Sequence, residues 1–91
     1  MKQAKNEVVA EYWARGIPAK NWGTPDRPEG TLYTDGKKIY SYNLQIGDTT
    51  DDGKKIVKDY TAQGTYGFRS QTTSCHVGRL RYIRGYETFV F

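Results

Sequence analysis

The chain has 91 residues, 14 of them basic and 10 acidic, for a net charge of +4. That length holds one domain with one core, residues 1–91, and leaves no room for a second. Its single cysteine, Cys75, excludes an intramolecular disulfide, and one Cys with one His falls short of a structural zinc set.

Asn6 reads as the N-cap of a first helix running from about residue 6 to residue 15. Glu7 sits in its first turn, where a negative charge suits the dipole. Val9, Tyr12 and Trp13 recur at helical spacing beside Val8, and Gly16 marks the stop. Residues 19–30 read as loop, because Trp22 to Gly30 contains two Pro and two Gly. Thr31 to Thr34 predicts a strand that turns at Asp35-Gly36 and returns as Lys38 to Tyr42. Asn43 to Gly47 extends that strand past a bend. Asp51-Asp52-Gly53 is a further turn, followed by strands over Lys54–Tyr60 and Tyr66–Ser70. Thr72, Thr73 or Ser74 then caps a second helix reaching about Arg84, with His76, Leu80 and Ile83 on one face and Val77 beside them. Gly85 is a stop signal, and Tyr86 to Phe91 alternates as a terminal strand. That strand would add an edge to the sheet or pair with another protomer. The expected fold class is α+β: a small antiparallel β-meander of four strands, an N-terminal helix, and a second helix after the Thr-Thr-Ser-x-His string.

Eight Tyr, two Trp and three Phe stand against few aliphatic residues, so rings must form part of the core. Buried Tyr hydroxyls need partners, so some Tyr are expected at an interface or pocket rim. A homo-oligomer is the expectation for so short a chain. Residues 1–15 lack an apolar leader segment, and no apolar run approaches the roughly 20 residues that span a bilayer. A cytoplasmic location, that of an infected bacterial host given the resemblance below, and no membrane contact are therefore expected.

Three strings carry a resemblance. They are Asn6-Glu7-Val8-Val9-Ala10, Thr34-Asp35-Gly36-Lys37-Lys38-Ile39-Tyr40-Ser41-Tyr42, and Ser70-Gln71-Thr72-Thr73-Ser74-Cys75-His76. Together they resemble a group of small uncharacterised phage and mobile-element proteins that close on Ser-x-Thr-Thr-Ser-x-His. The chain departs from that pattern at Arg69, Cys75 and Val77, and residues 61–65 look like a local insertion. The resemblance implies a phage or mobile-element origin and no particular reaction.

The chemically suggestive segment is Thr72 to His76. A helix start offers free N–H groups and partial positive charge, which suits phosphate or carboxylate. Thr72, Thr73, Ser74 and His76 would line such a seat, with Arg69 and Arg79 flanking it and Tyr42 near by. The same string also reads as an ordinary hydroxyl cap with His76 packed beneath the sheet. Nucleophilic catalysis is disfavoured. Cys75 and His76 diverge by about 100° on a helix, no Gly-x-Ser-x-Gly elbow occurs, and Cys75 reads as a small buried residue. Asp51-Asp52 is explained by its turn.

Residues 69–91 carry Arg69, Arg79, Arg81 and Arg84 against Glu87, a net of +3. Interleaved rings such as Tyr40, Tyr42, Tyr60 and Tyr66 add stacking surface or fill the core. Tyr40 and Tyr42 share a face by strand alternation. The functional expectation is a non-enzymatic binding protein, without cofactor or metal, that captures a phosphate-bearing small molecule. A nucleotide immune signal is the concrete case, captured to counter host defence. The alternative is a nucleic-acid- or protein-binding inhibitor of a host defence complex.

Overall fold

The computed structural model of the chain describes residues 2–21, 30–62, 64–83 and 85–91. Its elements are β1 (Lys2–Gln3), α1 (Asn6–Ala14), β2 (Ala19–Lys20), β3 (Leu32–Thr34), β4 (Ile39–Ser41), β5 (Leu44–Thr49), β6 (Lys55–Val57), α2 (Gln71–Arg81) and β7 (Thr88–Val90). The α+β expectation holds, with one N-terminal helix and one helix carrying the Thr-Thr-Ser-x-His string. The sheet is larger than expected: seven strands in sequence order. The centre, β2 to β6, is an antiparallel meander. At the margins β1 pairs parallel with β2, and β6 parallel with β7.

These pairings fix strand direction. β1, β2, β4, β6 and β7 run one way, and β3 and β5 the other. The two helical crossovers therefore step the same way across the sheet between strands that point the same way. Right-handed connections then place both helices on one face, and α1 and α2 pack against each other there. Inward positions of the strands are buried: Ala19, Leu32, Thr34, Ile39, Ser41, Ile46 and Val57. They meet Val9, Ala10 and Trp13 of α1 and Val77 and Leu80 of α2.

Several expectations need correction. Lys2–Gln3 and Ala19–Lys20 form strands where none was expected, because pairing with a neighbour rather than composition decides such short segments. The predicted loop over Trp22–Glu29 lies outside the described residues. Asn43 to Gly47 does not prolong β4. The chain reverses through Tyr42-Asn43, and Ser41 pairs with Leu44 across a tight hairpin. Tyr42 takes a φ of 57° there, a left-handed conformation uncommon for an aromatic residue. Tyr42 therefore sits at a turn rather than beside Tyr40 on a strand. Tyr66 to Ser70 is not a strand. Helix α2 ends at Arg81, short of the expected Arg84 (outside the described residues).

Helix α1 is capped at Lys5 without a side-chain bond, and Asn6 has another partner. Its Oδ1 accepts from Asn21 Nδ2 at 2.9 Å, and that same Nδ2 reaches Thr31 Oγ1 at 2.8 Å. Asn21 Oδ1 in turn accepts from the backbone N–H groups of Thr31 and Leu32, so one amide ties the helix start to the entry of β3.

Trp13 anchors the core. It is fully buried, and its indole N–H donates to the Lys37 carbonyl at 2.9 Å. Thr49 Oγ1 donates to the same carbonyl at 2.7 Å. The Asp35-Gly36 turn is thus clamped from below by Trp13 and from the side by β5. Gly36, at φ 100°, lies so close to the Gly16 carbonyl that a Cβ would approach it to 2.7 Å. Gly47 sits at a register shift in β5 opposite Ile39, and there the chain passes directly over the Trp13 ring. A Cβ on Gly47 would lie 2.7 Å from Ile39 Cγ2 and 2.9 Å from Trp13 Cζ2.

Gly47→Ala is expected to lower stability by about 1–3 kcal/mol through overpacking. Chemical denaturation checks this: the midpoint should fall while the denaturant slope stays unchanged.

Candidate functional site

The cap of α2 is Ser70, two residues upstream of Thr72, the first of the expected hydroxyls. Its backbone is extended, and its Oγ accepts from the Thr73 N–H at 3.1 Å. That bond satisfies one of the helix-start donors on which an anion seat would rely. Thr72 is exposed and Ser74 half-buried, whereas Thr73 and His76 are buried at 3% and 1% exposure. Thr73, His76, Val77 and Leu80 form the inward stripe of the helix, at spacings of three, one and three. The expected ligand seat is therefore divided, since two of its four α2 members point into the core.

In the core these two meet Ser41, itself fully buried on the inward side of β4. Ser41 Oγ lies 2.7 Å from His76 Nδ1 and 3.0 Å from Thr73 Oγ1. One hydroxyl proton on each of Ser41 and Thr73 suffices to chain the three groups to a neutral imidazole. Burial, reinforced by the nearby Arg79 charge, lowers the His76 pKa from 6.5 to about 4. A neutral, sequestered imidazole is suited to pinning α2 onto β4 and not to contacting an anion. Ser41 belongs to the second resemblance string, and Thr73 and His76 to the third. The one sequence signal linking them is the inward parity of Ser41 with Ile39.

The remaining expected residues separate. Arg79 lies on the exposed side of α2, 3.6 Å from Glu7 of α1. It lines a groove of about 490 Å³ between the helices with Glu7, Glu11, Cys75, Tyr82 and Ile83. Two carboxylates against one guanidinium make that groove unfavourable for a phosphate. Cys75 is exposed here, contrary to its expected burial, because it falls about 100° around the helix from the inward His76. Arg69 stands 5.5 Å over the ring of Tyr60, and Tyr60 packs on Tyr66 at 5.0 Å. Among the described residues, no group of His, Cys, Asp and Glu is arranged to hold a metal ion. No helix among them is long and apolar enough to cross a membrane.

The concentration of rings and cations lies on the other side of the sheet. Outward positions there are Lys20, Tyr33, Tyr40, Gln45, Asp48, Ile56 and Phe89, by alternation with their buried neighbours. None of them is fully buried, and no described helix packs over them. Tyr33 and Tyr40 are direct cross-strand partners, stacked with centroids 5.2 Å apart and planes at 18°. Lys20 pairs beside Tyr33. Lys54 Nζ stands 5.8 Å over the Phe89 ring, and Lys58 Nζ stands 5.9 Å over Tyr66. Lys20, Lys54 and Lys58 belong to this side with Asp48, and Lys54 Nζ also lies 3.6 Å from Asp52 Oδ2 in the adjoining turn.

No family model matches the chain, and neither the curated proteins nor the solved structures contain a match.

Two outcomes test the buried network. Ser41→Ala should cost about 1–3 kcal/mol, because it strands His76 and Thr73 without a partner. The second concerns pH. The folded His76 pKa lies below its unfolded value, so its contribution is complete above about pH 6.5 and is lost as pH falls toward 4. Relative to His76→Asn, which keeps a polar atom near Ser41 and does not titrate, the wild type should lose up to about 3 kcal/mol across that window. Denaturant midpoints measured at each pH would show it.

Proposed function

We propose that the protein is a non-enzymatic binding module whose open sheet face takes single-stranded nucleic acid. The observation that carries this reading is the stacked Tyr33–Tyr40 pair on a sheet face that no described helix covers, with Lys20 beside Tyr33. Every base has a π-face, so rings standing out of a sheet accept bases in sequence-tolerant fashion. Lys20 on β2 stands several strands away from Lys54 and Lys58, which flank β6, and that spread suits successive phosphates of a strand better than one compact anion. The net charge of +4 favours the same class of partner.

The geometry also moves the reading away from capture of a small nucleotide. Small-ligand sites usually bury most of the ligand in a concave pocket, whereas Tyr33 and Tyr40 stand on a sheet surface and the groove beside Arg79 is lined by carboxylates. A phage origin, as the resemblance implies, fits a binder that interferes with a host defence complex by occupying its nucleic acid.

Fluorescence anisotropy with labelled single-stranded DNA and RNA of about ten nucleotides tests the proposal. Wild type should bind at low salt and weaken steeply as salt rises. Tyr40→Ala should weaken binding by about 5- to 150-fold, the loss of one stacking platform. The Lys54→Ala, Lys58→Ala double variant should reduce the salt slope by about 1.4. Absence of oligonucleotide binding would overturn the proposal. Calorimetric binding of a cyclic dinucleotide by a protein indifferent to oligonucleotides would replace it with small-ligand capture.

A further inference from the structure

Strand β7 is an edge strand and carries no charged residue. Phe89, Val90 and Phe91 are 36%, 40% and 56% exposed. Its hydrogen bonding is one-sided. Phe91 N–H donates to the Val57 carbonyl, and the Phe91 carbonyl accepts from the Asp59 N–H, both at 2.9 Å. Alternation then turns Phe89 toward β6 as well, and turns the backbone groups of Thr88 and Val90 to the outer edge. Among the described residues no hydrogen bond reaches those outward groups. Edges are blunted by shortness, lysine, proline or an inward charge; this one is three residues long and has none of the other three.

We infer that β7 pairs antiparallel with β7 of a second copy, about a twofold axis at Phe89. A strand edge is completed only by another strand, and the register is dictated by which groups are free. Thr88 opposes Val90 of the partner subunit as a hydrogen-bonded pair, and the same exchange recurs on the other side of the axis. The two Phe89 residues then form the non-hydrogen-bonded pair at the centre, where side chains approach most closely. Their rings meet on the open face.

Charge complementarity supports the same register. Glu87 is the sole acidic residue of the stretch from 69 to 91. It is exposed, and it makes no ion pair among the described residues. It precedes β7 with the parity of Phe89, so it lies on the open face. In the pairing it stands opposite Phe91 of the partner subunit, with Lys58 of the partner subunit next in the row. The twofold provides this acidic-to-basic approach twice. The dimer is one continuous sheet whose two open faces adjoin.

Two measurements test this without reference to any ligand. Light scattering of wild type should give twice the chain mass. Val90→Pro should give a folded monomer, because Pro removes an outward N–H and no intrachain ladder bond. Circular dichroism of the same sample checks that the fold is retained. In a Cys75→Ser background, Phe89→Cys should form an intersubunit disulfide under mild oxidation, since residues opposed in a non-hydrogen-bonded pair lie about 4.5 Å apart at Cα. A wild-type monomer at every accessible concentration overturns the inference. So does a dimer that survives Val90→Pro, or one in which Phe89→Cys does not cross-link.

Discussion

Parallel pairing at both margins of an otherwise antiparallel sheet is the constraint on which the rest of this structure depends. A hairpin cannot join parallel neighbours, so each margin requires a crossover, and each crossover here is a helix. Because the two crossovers step in the same direction between strands of the same direction, the helices share a face. That single arrangement puts the core of the described residues on one side, leaves the opposite face without cover from either described helix, and makes β7 an edge.

The one-sided core explains how a chain poor in aliphatic residues folds. It concentrates burial on Trp13, Leu32, Ile39, Ile46, Val57, Val77 and Leu80 and adds polar groups only where each finds a partner. Ser41, Thr73 and His76 satisfy one another. Lys55 is a bolder case, buried to 7% exposure with Nζ 2.6 Å from Thr49 Oγ1 and 5.2 Å over the Trp13 ring. Burial lowers its pKa, and Asp48 opposes that shift. The ammonium is held by a hydroxyl and a π-face rather than by a carboxylate in salt-bridge range. Trp13 thus serves the core through its area, the Asp35-Gly36 turn through its N–H, and Lys55 through its ring face.

The same arrangement separates residues that look alike in sequence. Thr73 and His76 turn inward, whereas Thr72 and Cys75, each next to one of them, are exposed. Tyr33 and Tyr40 stack on the open face, whereas Tyr60 lies in the core and Tyr42 in a hairpin turn. Chemistry that seemed to gather at one helix start is divided between a buried brace and a surface on the far side of the sheet.

Local physical chemistry determined much of the fold. Helix α1 was legible from the spacing of Val9 and Trp13 and the stop at Gly16, because amphipathic period and glycine's conformational freedom act within a few residues. The Asp35-Gly36 and Asp51-Asp52-Gly53 turns were legible for the same reason, as was the face of α2 bearing His76 and Leu80. Only the tertiary structure decided the rest. Strands as short as Lys2–Gln3 and Ala19–Lys20 exist through pairing with each other, and no pattern of two residues announces them. The partner of His76 lies 35 residues away on another element, so composition at the helix start could not distinguish a brace from an anion seat. Which rings would be core and which would be surface depended on which face the two helices chose, and that choice is set by strand direction, a property of the whole sheet.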